Sequence, residues 1–561
     1  MTNKKQQTAR DILKDNLTKA LQEAGYREFK PEILPTTDQR FGDYYSAIAL
    51  KLAKAGGKQS AEKIAKFLVA KLPKNEEIFK AEVAPNGFIN FKISPKFLQT
   101  LVQKICKEDK DFGRGEIGKG KKTQVEFISA NPTGPLTLGN GRGGFMGDTL
   151  ANCLEKAGFS VQREYYINNT GNQIKTLGFS VLDVLGVKAA KREDLYRGEY
   201  IVEVAKKLQK QIDIQSDNLN TSEVGEKAAK IVFDDFIKPV LTKIKINFDN
   251  FVSEKKLHES GKVEAALDLL KKKNLVEEKE GALWFKSKIG LEDKDRVLVR
   301  SEFDGERSPT YFLADIAYHL GKFDRGFDKV IDIWGADHAG YVPRIKAAAT
   351  ALGFSDKLDI IIVQLVRLVE SGKEIRMSKR TGTFVTLEEL VNEVGLDVAR
   401  FFFISHAANT HMDFDLKLAK ERSSKNPVYY VQYAHARCSS ILKKAKEEGL
   451  ETKNLSKVKT SLLDEPSESS LIRVLIKLPE LVEDISQSYA VHLLPSYTQE
   501  VADSFHKFYE QVRVIDPKNK ELTAARLALV SATKIVLANS LDLMGISHPT
   551  RMENLSDETN N

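Results

Sequence analysis

Cysteine is scarce in this 561-residue chain: Cys106, Cys153 and Cys438 are the only three, far apart and never in CxxC order. That excludes a disulfide framework and a thiolate zinc site, and it fits a reducing compartment. Long apolar runs are missing too. No stretch of about 18 apolar residues marks a membrane span, and the opening MTNKKQQTARDILKDNL lacks the apolar centre of a signal peptide. A cytoplasmic protein without membrane contact is expected. Internal repeats are absent. A strong charge of one sign is lacking as well, since 86 Lys and Arg stand against 78 Asp and Glu, a net charge of +8 spread along the chain. Such an excess permits a polyanionic partner, because neutralising phosphates releases counterions, but it does not demand one. What is plentiful is material for cores: 42% of residues are hydrophobic, enough at this length for three or four domains.

The pattern changes twice along the chain. Residues 1–115 read as an N-terminal α+β domain. SAIALKLAK and SAEKIAKFLVAKL carry helical spacing, while EIFKAEVA and FINFKI alternate with period two around a PNG turn and predict a hairpin. From residue 120, TQVEFIS is an apolar strand, ANPTGPLTLGNGRGG a long turn rich in glycine and proline, and FMGDTLANCLEKAGF a helix. Strand, glycine-rich turn and helix open a doubly wound α/β sheet, which places a ligand at the strand's carboxyl end. Strand signals return in KVIDIW and LDIIIVQLV. Residues 120–395 are therefore expected to form one Rossmann-type nucleotide-binding catalytic domain with a helical, lysine-rich insertion at about 185–295. Residues 396–561 read as an all-helical bundle. Asn426 and Pro427 supply a helix start, and Leu527, Val530, Leu537 and Leu541 share one face of a last helix that Gly545 ends.

The turn carries the first chemistry. Gly139, Gly141, Gly143 and Gly144 let backbone approach a ligand closely, and the free N–H groups of the following helix favour an anion. The loop lacks the Gly-Lys-Ser/Thr of a Walker motif. GNGRGG matches GxGxxG, but ANPTGPLTL separates it from its strand, so a dinucleotide fingerprint does not follow.

SANPTGPLTLGNGRGG resembles the first signature of class I aminoacyl-tRNA synthetases in the form found in arginyl enzymes, with Thr137-Leu138-Gly139-Asn140 at the four signature positions. Both histidines of that signature are replaced, by a hydroxyl and an amide that still donate to oxygen without carrying a proton charge. GKEIRMSKRTGTFVTLEEL resembles the second signature, with Arg376-Met377-Ser378-Lys379 in its place. The resemblance spans almost the whole chain and implies an ATP-dependent arginine–tRNA ligase. It implies catalytic roles for Thr137, Asn140, Arg376, Ser378 and Lys379, and ATP contacts from Gly139, Met377, Asp337 and His338, the last two in DIWGADHAGYVPR. It assigns arginine to Glu126 and Asn131 in VEFISAN and to Tyr311 and Asp315 in PTYFLADIAYH, where i,i+4 spacing puts the latter two on one helix face. Asp315 alone would otherwise be read as an ordinary salt-bridge partner.

For tRNA the resemblance offers Phe88 and Asn90 in PNGFINFKIS, and Tyr430, Tyr433 and Arg437 in NPVYYVQYAHAR. Rings beside an arginine suit unstacked bases and equally suit a packed helix face, so both readings stand. The implied partners are arginine tRNA, L-arginine and ATP, with Mg²⁺ bound through the ATP phosphates, no protein-built metal site, and a monomer. Two alternatives remain: a tRNA-binding paralogue with weakened catalysis, and a class I synthetase for another amino acid.

Overall fold

The computed structural model describes residues 7–36, 38–56, 59–73, 75, 78–187, 192–211, 220–286, 294–301, 308–374 and 385–552. The first helix, α1 (Ala9–Glu23), starts at a reciprocal Thr8–Asp11 capping box. Then come β1 (Leu34–Pro35), β2 (Tyr44–Ser46), α2 (Ile48–Lys54), α3 (Ala61–Lys71), β3 (Phe79–Val83), β4 (Ile89–Ile93) and α4 (Pro95–Glu108), with sheet order β1-β2-β4-β3. The expected hairpin is β3–β4, turned at Gly87 with φ +90°. Period-two alternation sorts its faces: Ile89, Phe91 and Ile93 are buried with Leu52, Ile64 and Leu68, whereas Lys92 is exposed.

The second unit is built on β5 (Lys122–Glu126), α5 (Leu138–Lys156) and β6 (Ser160–Ile167). Four helices follow, α6 (Asn172–Val184), α7 (Glu199–Leu208), α8 (Thr221–Val232) and, after a π-helical turn, α9 (Lys238–Lys243). Glycines let α6 and α8 cross closely: a Cβ on Gly178 would stand 2.2 Å from the Thr221 carbonyl oxygen, and one on Gly225 would stand 2.1 Å from that of Ile174. The chain continues through β7 (Asn250–Ser253), α10 (Glu254–Glu259), α11 (Lys262–Lys272), β8 (Val276–Lys279), β9 (Ala282–Phe285), β10 (Arg296–Val299), α12 (Tyr311–Asp324), β11 (Lys329–Gly335), α13 (Val342–Leu352) and β12 (Leu358–Val363). The five-stranded sheet is parallel throughout, in the order β12-β11-β5-β6-β7. Strand order runs one way from β5 and the other way from β11, so the switch point, where such sheets bind ligands, opens between those two carboxyl ends.

Two expectations need correction. The segment at about 185–295 is not simply a helical insertion, because β7 joins the parallel sheet and β8, β9 and β10 form an antiparallel sheet of their own. Its signal was Glu280-Gly281, both left-handed at φ +52° and +73°, the two-residue turn of a tight hairpin. The glycine-rich stretch is also not all turn. Helix α5 begins at Leu138, so Gly139, Gly141, Gly143 and Gly144 lie inside it, and two of them are there for packing. A Cβ on Gly141 would meet Leu387 at 2.5 Å, and one on Gly144 would meet Ile128 at 2.8 Å.

After β13 (Val366–Glu370) and β14 (Lys373–Glu374) come α14 (Leu387–Val394), α15 (Leu396–Ile404), β15 (Met412–Asp415), α16 (Leu416–Lys420) and the bundle helices α17 (Pro427–Glu447), α18 (Pro466–Leu475), α19 (Leu478–Ser488), α20 (Leu493–Gln511) and α21 (Lys520–Leu543). Asn426 caps α17 as its sequence predicts, and Gly545 follows α21 at φ +66°. No helix among the described residues is long and apolar enough to cross a membrane.

One buried cation fastens these parts together. Arg400 of α15 is 1% exposed and donates to Asp148 of α5 at 2.7 Å, to the carbonyls of Ile244 and Lys245 beyond α9, and to that of Met544 at the end of α21. Removing one partner from a buried ion pair strands the other. Arg400→Met is expected to cost on the order of 3–5 kcal/mol, read as a lower thermal midpoint, and an unchanged midpoint would mean the joint is held by packing alone.

Candidate functional site

The site is assembled at the carboxyl ends of β5 and β11. Just past β5, Ile128 and Ser129 both take positive φ, +67° and +37°. That is strained backbone, acutely so for a β-branched residue. The kink brings the Ser129 hydroxyl to Glu126 Oε1 at 2.7 Å and to the N–H of Tyr166 at 3.0 Å. Thr137 is extended and caps α5. Its hydroxyl donates to Asn140 Oδ1 at 2.8 Å and accepts from the Asn140 N–H at 3.4 Å, while its own N–H donates to the same Oδ1 at 2.9 Å. The two residues in place of the signature histidines thus form a capping box. Thr137's hydroxyl proton is consumed within it, and the Asn140 amide N–H₂ is the donor left over. Gly139 is exposed at the helix start, where backbone N–H groups lack helical partners. The site's far wall returns here too: the Leu387 N–H donates to the Leu136 carbonyl at 2.9 Å, and Thr386 bridges Thr137.

Beside this turn lies an acidic row. Asp332 on β11, Glu126 on β5 and Glu164 on β6 are register partners on adjacent strands, and all three are buried. Three aligned carboxylates repel one another, and α12 supplies the answer at successive turns. The Tyr318 hydroxyl lies 2.9 Å from Glu126 and 2.7 Å from Glu164, Lys322 Nζ sits 2.5 Å from Glu126 and 2.6 Å from Asp332, His319 meets Asp332 at 2.9 Å, and Arg325 pairs with Glu164.

The same helix carries Asp315 two turns earlier, without a comparable partner. Tyr341 donates to its Oδ2 at 2.7 Å. Burial lifts the Asp315 carboxyl to about 6, against the pull of that hydrogen bond and of His319, with Glu126 adding repulsion. Facing it is Glu254, the first residue of α10 and 2% exposed, pushed up to about 7 by burial and then by Asp315 itself. The buried Tyr166 hydroxyl lowers Glu254 in part by hydrogen bonding to it. His258, a turn along α10, is 3.9 Å from Glu254, and neither carboxylate has a Lys or Arg ion pair among the described residues. Tyr311 is 46% exposed at the mouth, its hydroxyl accepting from the Asn172 N–H at 3.3 Å directly over Gly171, where a Cβ would come within 2.1 Å. A buried carboxylate, a half-buried one and a phenol beside them describe a pocket for a cation with several N–H donors.

Several sequence-derived assignments shift on this geometry. Glu126, assigned to arginine by resemblance, has both oxygens engaged, by Ser129, Tyr318 and Lys322. The carboxylate that needs a cation is Glu254, missed because its stretch reads as part of the insertion; the signal was Ser253 capping a short helix directly after a strand. Tyr341, inside a quoted motif, was missed as well. Asn131 donates to Gln173 of α6 at 2.6 Å. Asp337 and His338 follow β11 in an exposed turn, 3.4 Å apart. Arg376, Met377, Ser378 and Lys379 lie outside the described residues. Away from the cleft, Phe88 packs edge-on to Tyr45 at 5.6 Å, and Asn90 pairs in register with Tyr45 and Glu82. Tyr430, Tyr433 and Arg437 share a half-buried face against α20: Tyr430 donates to Asp503 at 2.7 Å, Tyr433 stacks near His506, and Arg437 lies between the Tyr433 and Tyr509 rings.

Three family models match the chain: the arginyl tRNA synthetase N terminal domain over residues 10–93, the catalytic domain of class I (R) tRNA synthetases over 101–409, and the DALR anticodon binding domain over 431–552. It is 45% identical over 536 residues to an arginine–tRNA ligase of Listeria monocytogenes serotype 4b, covering 93% of this chain and 95% of that protein. Among solved structures it is similar to a putative arginyl tRNA synthetase from Campylobacter jejuni, with 34% identity and TM-score 0.73, covering 82% of this chain and all of that one. The Thermus thermophilus arginyl-tRNA synthetase shares the fold, at 23% identity and TM-score 0.77 over 97% of this chain and all of that one.

The pocket has a measurable cost without a ligand. A carboxyl raised from 4.5 to about 7 on folding destabilises the folded state wherever it must ionise. Glu254→Gln is therefore expected to stabilise the ligand-free protein by on the order of 2–3 kcal/mol above pH 7. The gain shrinks as pH falls below about 7 and vanishes below about 4.5, where Glu254 is protonated in both states. Thermal melts across that range check it, and a variant less stable than the parent at pH 8 would show that Glu254 is already satisfied.

Proposed function

The chain belongs to the arginyl-tRNA synthetase family, and from that membership we propose how its cleft works as an ATP-dependent arginine–tRNA ligase. The observation that carries the reading is the Asp315–Glu254 pair. A guanidinium is a planar monocation with five N–H donors, and it accepts carboxylates on two sides at once. Bound there, it replaces the mutual repulsion of two facing acids with two charge-assisted pairs. Tyr166 offers its phenol oxygen, Tyr341 orients Asp315, and Tyr311 gives an aromatic face at the entrance. A neutral or anionic side chain would leave both carboxylates uncompensated.

The amino acid's own carboxylate then points toward the start of α5. There the Asn140 amide and the first backbone N–H groups of the helix receive ATP phosphates, aided by the helix dipole. All of these donors are neutral, so the triphosphate needs added cations. We assign that part to Lys379 and Arg376, with Ser378 and Met377 beside them, and to Mg²⁺ carried on the phosphates themselves. The bonds of Thr386 and Leu387 to Thr137 and Leu136 hold the start of α14 against the phosphate turn. Asp337 and His338, at the end of β11, are assigned to the adenosine side.

The arginine carboxylate oxygen attacks the α-phosphorus in line. The bond to the bridging oxygen breaks and pyrophosphate leaves, giving arginyl-adenylate. The terminal adenosine's 2′-hydroxyl next attacks the mixed anhydride, losing its proton, and AMP departs. Catalysis is positioning and charge neutralisation. Phe88 and Asn90 on the N-terminal sheet, with Tyr430, Tyr433 and Arg437 on α17, are the tRNA contacts this reading assigns.

The test is a charging assay with tRNA, ATP and Mg²⁺ across the amino acids. Arginine is the expected substrate, and efficient charging with another amino acid in place of arginine would overturn the reading. Within the same assay Asp315→Asn should raise the arginine KM about a hundredfold or more, with the ATP KM moving less than about threefold. An arginine KM at the parent's level would return Asp315 to an ordinary structural role.

A further inference from the structure

Lys322 touches neither the pocket mouth nor the phosphate turn, and it is one of the largest fully buried side chains in the protein. A lysine with no exposed surface is costly unless its charge is matched. Here it is matched twice, by Glu126 at 2.5 Å and Asp332 at 2.6 Å, and its ammonium lies 4.4 Å from the centre of the Tyr318 ring. Both carboxylates belong to the acidic row across β11, β5 and β6. Lys322 is also two helical turns beyond Asp315 on the same side of α12, and between them His319 joins the Asp315 carbonyl at 2.7 Å to Asp332.

The electrostatic consequence follows from counting charges. Glu126 stands close enough to Asp315 to raise it. Lys322 offsets part of the field of Glu126, and the negative charge directly facing the pocket is that of Asp315 and Glu254. Without it, Glu126 and Asp332 become uncompensated acids beneath the pocket. Asp315 is then driven toward its neutral form, and α12 loses the contact that fixes its height over the sheet.

We infer that Lys322 is a positioning residue for amino-acid selection, offsetting the charge of Glu126 and Asp332 so that Asp315 and Glu254 are left to hold the substrate's guanidinium. This rests on the reading of the Asp315–Glu254 pair as the arginine pocket. It also gives Glu126 a defined part as a partner of Lys322.

A double-mutant cycle separates these possibilities. The parent, Lys322→Met, Glu126→Gln and the double variant are compared by arginine and ATP KM in tRNA-dependent charging. Lys322→Met should raise the arginine KM about a hundredfold by leaving Glu126 and Asp332 without their lysine, whereas Glu126→Gln, which keeps Lys322 paired with Asp332, should raise it less than about tenfold. The double variant removes both charges and should return to within about tenfold of the parent, a coupling much larger than independent sites show. The ATP KM should move less than about threefold in all three. A double variant as weak as Lys322→Met, or weaker, overturns the inference, since a side chain that only fills space or a Glu126 that binds arginine directly gives that result. If Lys322→Met alone fails to fold, a folded, arginine-charging double variant is the expected outcome, and a double variant that also fails to fold overturns it. Failure of the underlying pocket assignment looks different, because the parent enzyme itself would then not select arginine.

Discussion

Three carboxylates in register on adjacent strands of one sheet are the constraint around which the catalytic unit is arranged. Asp332, Glu126 and Glu164 lie buried side by side, about 4.8 Å apart by strand spacing. Buried away from the surface, they need counter-charges from the covering helix. Helix α12 does this with Tyr318, His319 and Lys322, joined by Arg325 just past its end, and in doing so it is held at one height and one rotation over the sheet. Everything the helix presents further toward its amino end, Tyr311 and Asp315 above all, inherits that placement. The arginine pocket is thus the unbalanced end of a balanced array.

The phosphate side is held by different means. Helix α5 must start close to β5, and glycine at 141 and 144 allows Leu387 and Ile128 to pack where a Cβ would collide. The strained turn at Ile128 and Ser129 connects the two sides, since Ser129 bonds both Glu126 and the strand that carries Tyr166. The Thr137–Asn140 box gives a helix start of ordinary stability that leaves one neutral amide for the ligand. Charge neutralisation at the triphosphate is therefore delegated to groups outside this turn.

Much of this was legible in the sequence because it is local. The hairpin around Gly87, the cap at Asn426 and the parallel strands in KVIDIW and LDIIIV follow from periodicity and turn chemistry, and motif resemblance led to Asp315, Tyr311 and Asn140. What could not be read was pairing across the fold. Glu126 looks the same in a sequence whether it faces a substrate or a lysine 196 positions away. Glu254 gains meaning only when β7 returns to the sheet and sets it opposite Asp315, and β7 itself is four residues long inside a helical stretch. The glycines of α5 were taken for a turn because composition alone does not separate a flexible loop from a close helix contact.

The central claim is that Asp315 and Glu254 share an unmet need for a cation, which arginine supplies. With carboxyls raised to about 6 and about 7, the empty pocket holds protons near pH 6.5 that a bound guanidinium displaces. Calorimetric titration of arginine into the protein, repeated in buffers of different ionisation heat, measures that exchange directly. The account predicts release of about one proton per arginine at pH 6.5, falling toward none above pH 8. Binding of arginine with no proton release at either pH would contradict it.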